Sequence, residues 1–225
     1  MTDIGHRTTD IAHRTSDNEQ QTATAHSAIA VVFRLPTSDF RPSMTEWKPQ
    51  SGIFILVNLQ GELAEKVHAI QERFDPRMAR FARPHFTLIG SSGVGPIAAE
   101  TPIEQLHEAL DPIARTTAPL SLHFDRPVRY MQTNTFTLPL DPHGALRELH
   151  DRIKRTGLTF AKSRHAFTPH VTLSHYRTPT EAEARELLAM RIDEPFLVDH
   201  LAVSLTEEPS APRELFELEL IGPGA

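Results

Sequence analysis

Two short segments carry side chains able to move a proton and hold a phosphate: Pro84-His-Phe-Thr-Leu88 and Pro169-His-Val-Thr-Leu173. Each sets a histidine and a threonine two positions apart within a run of strand-forming residues. In a strand, residues i and i+2 share a face, so imidazole and hydroxyl point one way while Phe86 and Leu88, or Val171 and Leu173, point into a core. A hydroxyl donates to a phosphoryl oxygen, and an imidazole with an ordinary pKa near 6.5 transfers protons at neutral pH. Two such strands lining one cleft would supply a base and an acid from opposite sides. His6-Arg-Thr8 and His13-Arg-Thr15 match the same tripeptide. They lie in a polar stretch without apolar alternation, and so are excluded from the site.

The elements that must carry these residues recur in order. Ile53–Leu59 reads as a strand, Glu62–Phe74 as a helix with Leu63, Val67, Ile70 and Phe74 at helical spacing, Pro84–Gly90 as a strand, Ile103–Ile113 as a helix and Leu120–Phe124 as a strand. The order then repeats: a strand at Thr135–Leu140, a helix through Leu146, Leu149 and Ile153, a strand at Pro169–His175 and a helix at Pro179–Met190 capped by Thr178 or Thr180. Phe196–Leu205 and Glu214–Ile221 are expected to close as a hairpin. The expectation is an α+β fold with two lobes of duplicated strand–helix–strand units. Two antiparallel sheets would flank a central cleft, with helices outside. The lobes would span about 51–127 and 128–225, with exchange of strands between them open.

Residues 1–27 contain six apolar residues and no aromatic one, and are expected to form a disordered polar tail. Residues 28–50 read as an extension and connector, with a strand at 28–35 and an alternative translation start at Met44. The chain has 225 residues, 39% of them hydrophobic, and no cysteine. Disulfides, thiolate metal sites and a cysteine nucleophile are therefore excluded, which fits a cytoplasmic protein. The longest apolar run, Ala28–Phe33, is far short of the roughly 20 residues of a spanning helix, so no membrane partner is expected. A net charge of −6 favours a small phosphorylated ligand over long nucleic acid.

The two Pro-His-x-Thr-Leu strands, 85 residues apart in matching halves, resemble those of the 2H phosphoesterases, among them the 2′-5′ RNA ligase-like proteins and RNA 2′,3′-cyclic phosphodiesterases. The resemblance runs from about Ser51 to Ile221 and includes Phe167-Thr-Pro-His170. It implies a bilobed fold, His85 and His170 as catalytic residues, Thr87 and Thr172 as phosphate contacts, and no metal or other cofactor. Many ligase-like relatives carry a basic residue near the place of His175, whereas the nearest arginine here is Arg177. The first motif runs into Ser91-Ser92-Gly93.

Around this core, Phe167, Tyr176 and Arg177 are candidate substrate contacts, the rings for stacking a base and the guanidinium for phosphate. Packing is the competing role for the rings, and a solvated surface position for the arginine. Tyr130 and Arg164 stand in the same two classes. His165, His170 and His175 alternate across strand faces at odd spacing, which argues against a metal cluster. The function expected is a two-histidine phosphodiesterase for 2′,3′-cyclic phosphates of nucleotides or RNA ends, with ligation as the reverse reaction. The alternatives are a binding module for nucleotides or RNA ends and a scaffold that recruits partners through its tail. A monomer with no obligate protein partner is expected.

Overall fold

A computed structural model describes residues 51–130, 133–207 and 211–223. The expected tail, connector and strand at 28–35 lie outside the described residues. Fourteen elements follow in order: β1 (Ser51–Asn58), α1 (Gly61–Phe74), α2 (Pro76–Phe81), β2 (His85–Ile89), α3 (Ile103–Arg115), β3 (Leu120–Leu122), β4 (Val128–Arg129), β5 (Phe136–Pro139), α4 (Gly144–Lys154), β6 (His170–Ser174), α5 (Glu181–Ala189), β7 (Phe196–Val198), β8 (His200–Glu207) and β9 (Arg213–Glu219). The class is α+β, as expected. Strands pair in the order β4-β5-β6-β2-β1-β8-β9, and β3 pairs with β7 in a second, small sheet.

The duplication is visible in this order. β1, α1, β2, α3 and β3 correspond to β5, α4, β6, α5 and β7. The two halves meet where β2 and β6 pair antiparallel at Phe86↔Val171, so the larger sheets of the lobes join edge to edge into seven strands. The last strands of the two halves, β3 and β7, also pair with each other. β8 and β9, from the chain end, extend the first half by pairing onto β1.

Local chemistry explains most elements. β1 is buried from Gly52 to Val57 because both of its faces are covered. Ile53, Ile55 and Val57 join the main core, while Phe54 and Leu56 form a separate small cluster with Ala202 on the other face. α1 turns Val67 and Phe74 inward, α3 Leu106 and Leu110, and α4 Leu146, Leu149 and Ile153. α5 opens with a capping box between Thr180 and Glu183. The cap and the neighbouring Arg177 guanidinium push the Glu183 carboxyl down to about 2.

Two elements depart from expectation. The run 196–205 is not one strand of a hairpin: it breaks at Asp199, and β7 crosses to β3 while β8 alone pairs with β9. α2 has no counterpart among the expected elements, although its signal is present in the sequence. Asp75 caps it by accepting from the Met78 N–H, and Pro76 stands at its first turn, where a missing N–H costs nothing.

Candidate active site

The site begins with proline. The residue before a proline is held extended, which sets Arg83 and Thr168 in line with the strands that follow. The proline carbonyls dock these strand starts on their neighbours: Leu59 N–H donates to Pro84 O and Leu140 N–H to Pro169 O, both at 2.9 Å. Each histidine then folds back on the residue two before it. His85 Nδ1–H donates to Arg83 O at 2.7 Å, and His170 Nδ1–H to Thr168 O at 2.7 Å. A carbonyl only accepts, so Nδ1 carries the hydrogen in both rings. Nε2 is left as the nitrogen available to a substrate.

Counting antiparallel from Phe86↔Val171 sets His85 opposite Thr172 and Thr87 opposite His170. Directly opposed side chains lie about 5 Å apart at Cβ and share a face. The four polar side chains thus form one block on one face of the sheet, each half-exposed, while Phe86, Leu88, Val171 and Leu173 are fully buried beneath. Each motif ends in the same irregularity. Ile55↔Ile89 follows Leu56↔Thr87, and Phe136↔Ser174 follows Thr137↔Thr172, which leaves Leu88 and Leu173 as extra residues. A bulge right after each His-x-Thr bends the strand beside the site.

Supporting residues come from across the fold. Gln71 of α1, itself buried, donates from Nε2 to Thr172 O at 2.8 Å. The Ser91-Ser92-Gly93 turn, reached from β2, braces the approach to the second motif. Ser92 Oγ accepts from Thr168 N–H at 3.1 Å, and Gly93 N–H donates to His165 O at 2.9 Å. Gly93 has φ +74°, and a Cβ there would collide with the buried His150 ring.

Tyr130, at the end of β4, meets His170 edge-on with ring centroids 5.4 Å apart, its hydroxyl 3.0 Å from Nδ1. On the other flank, Asn58 of β1 stands opposite His85. There a cavity of ≈ 320 Å³ opens beside His85, lined also by Leu56, Asn58, Phe81, Arg83, Ser204 and Glu214.

Burial pulls both imidazoles below the ordinary histidine value, against the opposing effect of their carbonyl partners. A charge on His85 lowers His170 further.

The structure brings His85, Thr87, His170 and Thr172 together but sets the three candidate substrate contacts elsewhere. The Phe167 ring is 3% exposed and stacked on His150 at 4.1 Å. Tyr176 is exposed beneath the Arg77 guanidinium, 4.5 Å from its centroid. Arg177 donates to Glu183 Oε1 at 2.7 Å and to Phe74 O at 3.3 Å, on the helical side. Tyr130 is the ring that reaches His170. Among the described residues, no three His, Asp or Glu side chains are grouped to hold a metal ion.

A family model described as the 2′-5′ RNA ligase superfamily matches residues 59–209. The chain belongs to this superfamily. Its solved neighbours share the fold at low identity. The crystal structure of a phosphoesterase superposes with TM-score 0.50 at 18% identity, covering 77% of this chain and 99% of that one. The apo form of E. coli LigT gives 0.50 at 19% identity, over 77% and 98%. TT0787 of Thermus thermophilus gives 0.52 at 15% identity, over 78% and 100%. No curated protein sequence matches the chain. Within the 2′-5′ RNA ligase superfamily match lie both His-x-Thr strands and Tyr130. No described helix is long and apolar enough to cross a membrane.

Proposed function

We propose that the cleft hydrolyses the 2′,3′-cyclic phosphate of a nucleotide or RNA end by two-histidine general acid–base catalysis. The observation that carries this reading is the β2–β6 pairing, which sets on one face two hydroxyls and two imidazoles whose Nε2 atoms have no bonded partner among the described residues. One imidazole takes a proton from water as its oxygen bonds to phosphorus. The other, protonated, gives its proton to the ribose oxygen as that P–O bond breaks. Thr87 and Thr172 donate to the non-bridging oxygens and hold phosphorus in line. With an RNA 5′-hydroxyl as nucleophile in place of water, the same groups join two ends, which is ligation.

The cavity beside His85 has room for a nucleoside, with apolar Leu56 and Phe81 against a base and Asn58, Arg83 and Glu214 at its edge. Exposed Glu214, Glu217 and Glu219 line the edge strand β9 and disfavour a long polyanion there, which supports a mononucleotide or short RNA end. Incubating the full chain with 2′,3′-cyclic AMP, and with a short RNA ending in a 2′,3′-cyclic phosphate, both in excess EDTA, tests the reading. Hydrolysis by the wild type and none by the His85→Ala/His170→Ala double variant is the expected result. Tight AMP binding without turnover of either substrate would favour a binding module instead.

Two further outcomes follow. Thr87→Val and Thr172→Val keep strand-forming shape and remove one donor each, so kcat should fall about 10- to 100-fold, with Thr→Ser variants retaining most activity. Equal rates for the Val and Ser variants would remove the threonines from phosphate binding. The pH profile is the second. Catalysis needs one neutral and one protonated imidazole, and in the free enzyme both titrate below 6.5. The singly protonated state, and with it kcat/KM, should therefore peak on the acid side of 6.5 and decline as pH rises. A bound phosphate anion raises both histidines, so the kcat maximum should lie at higher pH. Steady-state rates across pH separate the two curves, and coincident maxima above 7 would contradict this assignment.

A further inference from the structure

The cavity beside His85 is flanked by opposite charges. Glu214 in its wall and exposed Glu217 and Glu219 lie on the β9 side. On the α2 side the chain approaches His85 through Arg77, Arg80 and Arg83, three exposed arginines at three-residue spacing. Among the described residues, none of these three pairs with a carboxylate, whereas Arg73, Arg115, Arg147, Arg177 and Arg185 all do. Resting on the hydrolytic reading above, we infer that Arg83, Arg80 and Arg77 form a track for the RNA backbone, so that a short RNA ending in a 2′,3′-cyclic phosphate is preferred to the free cyclic mononucleotide.

The fold places the three arginines in sequence along one route. α1 sends Val67 and Phe74 into the main core with Ile55 and Val57, on the face of β1 away from Leu56. Leu56 lines the cavity, and so do Phe81, Ala82 and Arg83 at the far end of α2. The segment therefore leads from the helical layer to the mouth of the site. Arg77 and Arg80 stand three apart on α2 and share a side, with Ala79 buried. Arg80 Nε donates to Pro76 O at 3.1 Å, which lays its side chain back along the helix toward Arg77. The Arg77 guanidinium covers the exposed Tyr176 ring, 4.5 Å from its centroid. Arg83 follows Arg80 by three residues, a span of at most about 11 Å.

Carboxylates on the neighbouring elements are engaged elsewhere. Asp75 is buried and accepts backbone N–H groups. Glu72 faces His68 at 3.4 Å, Glu186 holds Arg73 at 2.7 Å, and Glu183 holds Arg177 at 2.7 Å. The three guanidinium charges are thus left for a ligand, and a planar guanidinium matches the oxygens of a phosphodiester. With the cyclic phosphate at the histidines and the terminal nucleoside in the cavity, the RNA continues from the 5′ oxygen of that nucleoside. Arg83, on the cavity wall, is placed for the phosphate there, and Arg80 and Arg77 for the next two. The carboxylates of β9 repel the backbone from the opposite side. Tyr176, already paired with Arg77, offers a platform for a flanking base. Three phosphate contacts suit a short RNA end.

The test compares 2′,3′-cyclic AMP with an octaribonucleotide ending in adenosine 2′,3′-cyclic phosphate, both on the full chain at low salt. The RNA should have a kcat/KM about tenfold or more above that of the mononucleotide, and added salt should erase the difference. Arg77→Gln/Arg80→Gln should lower the RNA value about 5- to 20-fold and flatten its log–log salt slope by about 1.4, the worth of two single-strand phosphate contacts. The same variant should leave cyclic AMP turnover within about twofold of wild type, because neither side chain lines the cavity. Arg77→Lys/Arg80→Lys, which keeps the charge, should retain most of the RNA preference. Equal wild-type values for the two substrates, or an equal loss on both in the Gln variant, overturns the track. Binding gives a readout without turnover. Fluorescence anisotropy of a labelled octaribonucleotide ending in a 3′-phosphate should show the same weakening in the Gln variant, and unchanged affinity overturns the track. A wild-type chain that hydrolyses neither substrate overturns the hydrolytic reading alone, and the anisotropy still decides the track.

Discussion

Replacing His85 or His170 with alanine should lower kcat/KM for a 2′,3′-cyclic phosphate about 10²- to 10⁴-fold, the usual worth of a positioned acid or base. Each histidine moves one proton within a single displacement, so the two act as a unit. The double variant should therefore lose little more than the worse single variant. The fold should tolerate these changes. Both side chains are half-exposed on one face of the sheet, and the packing beneath them comes from Phe86 and Val171, which remain. A pH series adds a check that a structural role would not produce: each single variant should lose the limb of the profile that its own imidazole supplied. Stopped assays on folded variants, with circular dichroism to confirm the fold, measure both. Near-wild-type turnover in both single variants would sink the mechanism.

Asp75→Ala should give the largest loss of stability of any single polar change in the described residues, about 3–5 kcal/mol. The Asp75 carboxylate is 1% exposed and accepts three backbone N–H groups. Oδ1 takes Met78 N–H at 3.1 Å, and Oδ2 takes His175 N–H at 2.7 Å and Tyr176 N–H at 2.6 Å. Met78 lies in α2 of the first half, whereas His175 and Tyr176 follow β6 of the second. One carboxylate therefore joins the halves just past the second motif. Truncation leaves three donors without their acceptor and a small void between α1 and the loop. Asp75→Asn presents an NH2 group where an N–H must be accepted, so it should recover only part of the loss. Urea unfolding checks this: the midpoint should fall with little change in slope. A midpoint within error of wild type would mean that solvent or a shifted loop replaces the carboxylate.

Much of the site was legible because it is local. The two-residue period of a strand by itself tells that His85 and Thr87 share a face opposite Phe86 and Leu88, and the same logic serves β6. Helical spacing in α1, α3 and α4 was legible for the same reason. The repetition of these patterns after Asn134 was enough to predict two matching halves and, through the resemblance it supports, the superfamily to which the chain belongs. α2 was legible in principle, from Asp75 as a cap followed by Pro76, but six residues are too few for an amphipathic period to emerge.

What the sequence alone determined is therefore the content of each element: which residues are polar, which face they occupy, and that the element set occurs twice. Only the tertiary structure decided how the elements meet. That β2 and β6 pair at a single register point, that β8 and β9 join the first half, and that β7 leaves its hairpin for β3 depend on contacts between residues tens to more than a hundred positions apart. No local period records these contacts. The same holds for side chains whose chemistry suits two roles. Phe167 stacks on His150, and Arg177 pairs with Glu183, whereas Tyr130, with the same competing roles as Phe167, reaches His170. A residue's type states what it can bond, but its partner is chosen by the packing that brings the two together.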